Sequence, residues 1–585
     1  MVEAAEIIED ALTIPIPSAD NLVLDDYRRL TGPGLLWGRS GAVLDIFFTG
    51  IGTDQVISLW QKQARRVLDT IGWENEHIIE RRFEGGVNLA ISAPMDQLYS
   101  AIFAAQTAWH FCAAELLAEQ AGDFGAMTND LLAVMEREAN PALIALIEAA
   151  EKHGVDVLSD DDDLSLGHGV GSQTWPVTDL PGPDDVNWDK LHDVPVALVT
   201  GTNGKTTTTR LSSAIGKAAG LVSGLTSTEF VRVGDEILDH GDYSGPGGGR
   251  MLLRDQRLEI AYLEVARGGI LRRGLPLRQA RAALVTNVAA DHLGQFGVNT
   301  VEELAVAKFA VHRTLMADGV LVLNADDDYV VAEAARTPVT IWWFSLSKGN
   351  PQIAKAQTEG SPCAWLEEGA LIFFDGNAET SIINAADIPL TLGGAARYNI
   401  SNALGALCLS RALGLDNAAV SSGLSAFQNN PKDNPGRCNE FAVGGARVFV
   451  DFAHNPHSIS AVTAAMRAVP AKRRFVLLGH AGDRSDQDIR DVTASALALG
   501  PDYVVAAENP GYLRGRELGE ISSLIHDECR VRGVPDEQLM SADTPSEGVA
   551  KVLDRLEPGD LALLLVLSER DQIFEMLEQA ALGLG

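Results

Sequence analysis

The 585-residue chain carries 46% hydrophobic and 22% charged residues and a formal net charge of −34. That length predicts about three or four domains with apolar material for ordinary cores. The charge disfavours nucleic acid and anionic membrane as partners, and no apolar run approaches the roughly 18–20 residues of a membrane span.

The acidic N-terminus, Met-Val-Glu-Ala-Ala-Glu, lacks the basic-then-apolar layout of a signal peptide. Five scattered cysteines (Cys112, Cys363, Cys408, Cys438, Cys529) form no CxxC pair, which fits reduced structural thiols in a cytoplasmic protein. The acidity would help collect a cationic substrate such as arginine, or serve solubility alone.

Val43–Phe48 and Val87–Ser92 read as strands and Met95–Gln120 as a long apolar-faced helix, giving a small α/β or α+β domain over residues 1–150. Pro141–His153 is helix-like, followed by Val155–Leu158 and the acidic run Asp160–Asp163. The Gly-, Pro- and Asp-rich stretch after them completes a linker over 151–190. From Val194 strands and helices alternate, which predicts a mainly parallel sheet in a central domain over 191–432. Its strands are Val194–Val199, Leu258–Val265, Ala282–Val288 and Val320–Leu323; its helices include Val301–Leu315 and Asn399–Leu413. Asn430-Pro-Lys-Asp-Asn-Pro-Gly-Arg437 marks a boundary. Beyond it, strands near Ala446–Asp451, Arg474–Leu478 and Asp502–Ala507 predict a Rossmann-like α/β domain over 433–585.

Directly after the first central strand stands Thr200-Gly-Thr-Asn-Gly-Lys-Thr-Thr-Thr-Thr209. An apolar strand, a glycine turn and a hydroxyl-rich helix start make a phosphate cradle, in which Thr200, Gly201, Thr202, Asn203, Gly204 and Thr207 let the backbone close on phosphate oxygens. Lys205 is placed to reach the β/γ-phosphates and the Thr206 hydroxyl to ligate Mg²⁺. Strict P-loop spacing would put glycine at Val199, so the loop is a shortened variant. Such a chain handles ATP.

Glu264 ends an apolar strand, and Asp291 and His292 follow the next one. Strand carboxyl ends line the ligand crevice of a parallel sheet, so these side chains can meet a metal there. Lys308 lies on a helix among apolar residues, where snorkelling to water is the ordinary behaviour.

Thr200–Thr209, Glu264, Asp291–His292, Lys308, Asn399-Ile-Ser-Asn402, Gly436-Arg437 and Asp451-Phe-Ala-His-Asn-Pro456 together resemble the Mur ligase family of ATP-dependent amide-forming ligases. Within it the wording is most similar to the Mur-like half of cyanophycin synthetase. The phrases are Ala266-Arg-Gly-Gly-Ile-Leu-Arg272, Thr286-Asn-Val-Ala-Ala-Asp-His-Leu-Gly294, Leu323-Asn-Ala-Asp-Asp327, Gly482-Asp-Arg484 and Arg514-Gly-Arg516. The likeness covers about residues 191 to 530.

The resemblance implies that Thr206 and Glu264 hold one Mg²⁺ and that His292 helps hold a second. It implies a carbamoylated lysine at Lys308, supporting that metal. Asn399 and Asn402 would face adenine; Arg437 and Asp451 would contact phosphates and ribose from the C-terminal domain, with ATP held between it and the central one. The implied reaction makes an acyl phosphate from a carboxylate and ATP, then an amide with an amino acid amine.

Residues 29–37 and 141–171 resemble parts of cyanophycin synthetase that precede its ATP-grasp ligase, yet the chain then passes almost directly to the Mur-like domain. The likeness therefore implies a relative without that module, with a separate ATP-grasp protein as a candidate partner and an oligomer compatible with the sequence. The segment Asp242-Tyr-Ser-Gly-Pro-Gly-Gly-Gly-Arg250 departs from the relative, with Arg250 a candidate anion contact and Gly247–Gly249 a candidate flexible loop. Arg514 and Arg516 read equally as a substrate clamp or as surface charge. Two other functions stay open: a folylpolyglutamate-type chain-extending ligase and a non-catalytic nucleotide-binding subunit.

Overall fold

The computed structural model describes residues 8–583. The chain divides into two compact units: residues up to Trp343 together with Cys408–Asp416, and Phe344–Leu407 together with the residues from Asn417 onward.

The first unit opens with an antiparallel sheet. Its strands Leu22–Leu30, Gly41–Phe48, Ile78–Phe83 and Gly86–Ser92 lie in the spatial order first, second, fourth, third. Helices Thr53–Thr70 and Leu98–Leu117 cover one face, where Leu44, Ile46, Trp60, Leu89 and Trp109 form the core. Leu98–Leu117 is buried nearly all round, as its continuous apolar sequence requires. The arrangement is α+β.

The segment expected to be a linker is folded in part. Val157–Ser159, Asp163–Leu166 and Gln173–Pro176 form a three-stranded antiparallel sheet. Leu164 and Leu166 pack there with Leu143 and Leu146 of helix Pro141–His153. The acidic run closes its hairpin: Asp160 Oδ1 accepts from the amide of Asp163 at 2.9 Å, and Asp160 Oδ2 accepts from Arg254 at 2.7 Å. Side chain-to-backbone bonding of this kind turns a charge run into a turn.

At the heart of the same unit, strand Val196–Thr200 lies between Ile260–Glu264 and Ala280–Val285, all parallel, with Ser223–Thr226 and Leu315–Asn324 outside them. The three central strands are rich in buried apolar residues, as a sheet covered on both faces demands. The register sets Glu264 opposite Val199 and Val285 opposite Thr200, so three strands deliver their carboxyl ends to one edge. Helix Val301–Phe309 opens on a capping box between Thr300 and Glu303 and passes into a 3₁₀ turn over Ala310–Thr314. It stops short of the expected Leu315 because Leu315 pairs with Ala280 and starts the next strand.

The second unit contains an antiparallel meander, Cys363–Glu367, Ala370–Phe374 and Glu379–Asn384. It also contains a six-stranded sheet in which Ala446–Asp451, Leu561–Leu565, Arg474–Leu478, Tyr503–Ala507 and Leu539–Ala542 run parallel in that order. Helices Pro456–Ala468, Asp486–Leu497 and Glu520–Val531 bury Ile459, Val492 and Ile525 on one face. Pro545–Leu553 and Arg570–Ala581 bury Val549, Phe574 and Leu577 on the other. This is a doubly wound, Rossmann-like α/β sheet. No described helix is long and apolar enough to cross a membrane.

Candidate active site

The glycine turn after Val196–Thr200 is clamped to the neighbouring strand end. Gly201 holds φ +144°, and a Cβ there would lie 1.8 Å from Thr286 Oγ1. Thr202 donates its amide to Asn287 O at 2.9 Å, and its hydroxyl oxygen accepts from Ala289 at 3.0 Å. The Asn203 amide donates to Asn287 Oδ1 at 2.9 Å, while Asn203 O accepts from Thr286 Oγ1 at 2.6 Å. Thr200 is fully buried with its hydroxyl on Val265 O at 2.8 Å. Gly204, at φ +84°, then turns the chain into helix Lys205–Ala218, whose first-turn amides and dipole face the loop's concavity. Gly201→Ala is expected to lower unfolding free energy by about 2–3 kcal/mol, because the new methyl overlaps Thr286; chemical denaturation would measure it.

Four side chains converge on this loop. Thr206 donates to Glu264 Oε1 at 3.1 Å, and both residues are buried. Lys205 Nζ donates to the carbonyls of Gly201 at 3.1 Å and Thr202 at 3.0 Å. Lys308 Nζ donates to the same Gly201 carbonyl at 2.7 Å. Lys308 is 4% exposed, so it does not snorkel. Burial, reinforced by Lys205 and opposed by Asp291, holds its amine well below the ordinary lysine range. His292 is half-exposed, with Nε2 3.8 Å from Asp291 Oδ1. The geometry thus brings Lys205, Thr206, Glu264, Asp291 and Lys308 to one end of the sheet, with His292 on the adjoining loop.

Asn287 and Asp327 carry a structural part the sequence reading left unassigned. Asp327 Oδ2 accepts from the Val288 amide at 2.7 Å and Oδ1 caps helix Asp328–Ala334, tying the Thr286–Ala289 segment down. The signal was present as two polar phrases, each at a strand's carboxyl end.

In the second unit, Asn399 and Asn402 are buried on one helix turn. Asn399 donates to Leu390 O at 2.9 Å and Asn402 donates to Asn399 Oδ1 at 3.1 Å. Asp451 is buried at the end of its strand, accepting from the Ala453 amide at 2.7 Å, and the Arg437 guanidinium lies 5.1 Å from the Phe452 ring. Burial pushes the Asp451 carboxyl up to about 6, against Arg437 and backbone donors that favour the anion.

An unfolded aspartate titrates near 3.9, so ionising Asp451 disfavours the fold fully above about pH 6 and not at all below about pH 4. Asp451→Asn is therefore expected to stabilise the protein by as much as about 2–3 kcal/mol at pH 7.5, a gain that fades by pH 4. Denaturation at the two pH values checks the sign.

A Mur ligase middle domain matches residues 199–410, and a Mur ligase glutamate ligase domain matches 436–565. Through these two domains the chain belongs to the Mur ligase family. Cyanophycin synthetase of Trichormus variabilis is 38% identical over 377 residues, 64% of this chain and 41% of that protein. The chain thus spans less than half the length of the cyanophycin synthetases it matches. The UDP-N-acetylmuramoyl-L-alanyl-D-glutamate–2,6-diaminopimelate ligase of Chlorobaculum tepidum is 28% identical over 391 residues, 63% of this chain and 70% of that one. In fold, the chain is similar to E. coli FolC in complex with DHPP and ADP, with a TM-score of 0.50 at 20% identity over 66% of this chain and 88% of that one.

Around the Mur ligase middle domain's Glu264 the departing segment takes definite shape. Thr226, Ser244, Gly245, Glu264 and Gly269 line a narrow cavity. Gly247–Gly249 form no loop: they start helix Pro246–Leu253, with Pro246 at its first turn. A Cβ at Gly249 would lie 2.6 Å from Pro276 and one at Gly248 2.6 Å from Tyr243, so these glycines serve close packing. Arg250 points to Asp160, 3.5 Å away, and is mostly buried; an internal carboxylate occupies the place expected for an anion. Arg514 pairs with Asp483, and Arg516 donates to Gly482 O at 3.0 Å and pairs with Asp486 at 2.8 Å. Both arginines are engaged within the fold, holding two loops together.

Proposed function

We propose that this chain is an ATP-dependent ligase that joins an amino acid amine to a carboxylate through an acyl phosphate. The carrying observation is the Thr206–Glu264 contact beneath a glycine turn whose Gly201 carbonyl receives both Lys205 and Lys308. A buried hydroxyl–carboxylate pair on an oxygen-rich strand edge fits Mg²⁺, a hard cation that prefers such donors. Two lysines and a helix N-terminus fit a polyphosphate.

Bound there, Mg²⁺ and ATP supply the phosphoryl group and neutralise charge as it moves. The first-turn amides and Lys205 hold the phosphates, and Thr206 and Glu264 hold the metal. His292 would help hold a second metal ion, with Lys308, as its carbamate, supporting that ion. The substrate carboxylate oxygen bonds to the γ-phosphorus as ADP leaves. The amine then bonds to the carbonyl carbon as phosphate leaves and a proton is lost. Asn399, Asn402, Arg437 and Asp451 take the nucleotide-binding roles that family likeness implies, and weaker ATP binding by Asp451→Asn would support that.

The likeness to cyanophycin synthetase favours an amino acid such as arginine as the amine, and an aspartyl-type carboxylate, supplied where needed by a separate ATP-grasp protein, as acceptor. Mass spectrometry of the protein with ATP, Mg²⁺, pooled amino acids and pooled carboxylates including aspartyl peptides tests this. A condensation product formed with ADP and phosphate is expected. No ATP turnover would instead leave a nucleotide-binding subunit.

A further inference from the structure

The face of the N-terminal sheet opposite its helices carries a row of polar side chains. Asp26, Asp45, Asn88 and Arg81 stand opposite one another on successive strands. Asn88 donates to Asp45 at 2.6 Å, Arg81 donates to Asn88 Oδ1 at 3.0 Å, and Arg28 donates to Asp45 at 2.6 Å. Asp45 and Asn88 are 1% and 2% exposed. A buried lattice of this kind is tolerated only when its members find partners.

The two arginines complete their bonding outside the sheet. Arg28 Nε donates to Leu271 O at 2.9 Å and its guanidinium stands 4.9 Å from the Phe296 ring. Arg81 donates to Gly297 O at 2.9 Å and pairs with Glu303 at 3.4 Å. Phe83 packs so closely on Gly297 that a Cβ there would lie 2.3 Å from its ring.

The segment they grip is the loop that carries Asp291 and His292. Its backbone passes through left-handed φ at His292 (+50°), Gly294 (+88°), Phe296 (+55°) and Gly297 (+67°). Two of those residues are not glycine, so the loop needs outside support to keep that path. Arg267 provides some from the ligase side, donating to His292 O and to Gln295 Oε1 at 2.7 Å.

We propose that the N-terminal domain positions the Asp291–His292 loop of the ligase site, with Arg28 and Arg81 as positioning residues. The inference rests on the reading of His292 as a metal-side residue. Metal affinity is sensitive to groups that only orient its ligands.

The test uses the full chain as wild type, Arg81→Ala, and Phe296→Leu, which takes the ring away from Arg28 while leaving the Asp45–Asn88–Arg81 hydrogen bonds in place. Hydrogen exchange of peptides covering residues 289–298 is expected to quicken about tenfold in both variants, with strand Val196–Thr200 unchanged. Mn²⁺ binding, read by electron paramagnetic resonance, is expected to weaken about tenfold. Loop exchange and Mn²⁺ affinity equal to wild type in Phe296→Leu would overturn the proposal, even if Arg81→Ala unfolds the sheet. A wild type that takes up no Mn²⁺ would sink the metal-side reading instead, and the exchange result alone would then decide whether the N-terminal domain holds the loop.

Discussion

Lys205→Ala is expected to lower ATP turnover by about 10²–10³-fold while the protein stays folded. The Lys205 ammonium reaches out from the first helix turn and rests on two carbonyls of its own loop, Gly201 and Thr202. Those contacts are the kind a phosphate replaces, since an anion attracts the ammonium more strongly than a neutral carbonyl does. Removing it takes away a positive charge where negative charge shifts during transfer, an effect that mutagenesis commonly puts at two to three orders of magnitude. The same substitution removes little packing, so the thermal midpoint should move by no more than about 2 °C. Steady-state ADP release together with a thermal melt checks both halves. A variant with unchanged turnover would remove the P-loop from the mechanism. If the chain served only as a nucleotide-binding subunit, Lys205→Ala would still support its partner's activity.

The second large effect concerns Lys308 and carbon dioxide. A buried amine held well below the ordinary lysine range has a larger neutral fraction than a surface lysine at the same pH. The neutral amine is the form that attacks CO₂: the N–C bond forms, one N–H proton leaves, and an anionic carbamate remains. The sign of the pH effect follows. An unfolded lysine takes up its proton near 10.4, so below that pH the buried neutral amine disfavours the fold, and raising the pH toward 10 relieves the penalty. Carbamoylation would relieve it at neutral pH by placing an anion beside Lys205 and Arg267, the cations that oppose protonation.

Turnover in CO₂-depleted buffer is therefore expected to fall about tenfold or more and to recover with added bicarbonate. Lys308→Met should be about 10²-fold slower and indifferent to bicarbonate. A carbonyl resonance from ¹³C-bicarbonate, present in wild type and absent in Lys308→Met, would show the carbamate directly. Equal turnover with and without bicarbonate would remove the modification from the mechanism.

Much of the site was legible because its signals are local. The apolar strand, the glycines at 201 and 204 and the lysine and threonine that follow are adjacent in sequence, and adjacency alone makes them a turn into a helix N-terminus. The runs Ala446–Asp451, Arg474–Leu478 and Asp502–Ala507 announced a parallel sheet because strands buried on both faces need largely apolar stretches.

What the residue pattern could not settle depended on partners far along the chain. Lys308 sits on a helix that any local reading would let snorkel, yet packing against the turn at Gly201, 107 residues away, encloses it and holds its amine well below the ordinary lysine range. Arg250 looked like an anion contact until Asp160 came to meet it. The stretch around 157–176 has a linker's composition, and only the packing of Leu164 and Leu166 beneath helix Pro141–His153 makes it a sheet. Composition and spacing determined the strands, the loop and the chemistry they can offer. Which charges are buried, and so which are altered, was decided by the tertiary structure, because desolvation depends on what packs over a group rather than on its neighbours in sequence.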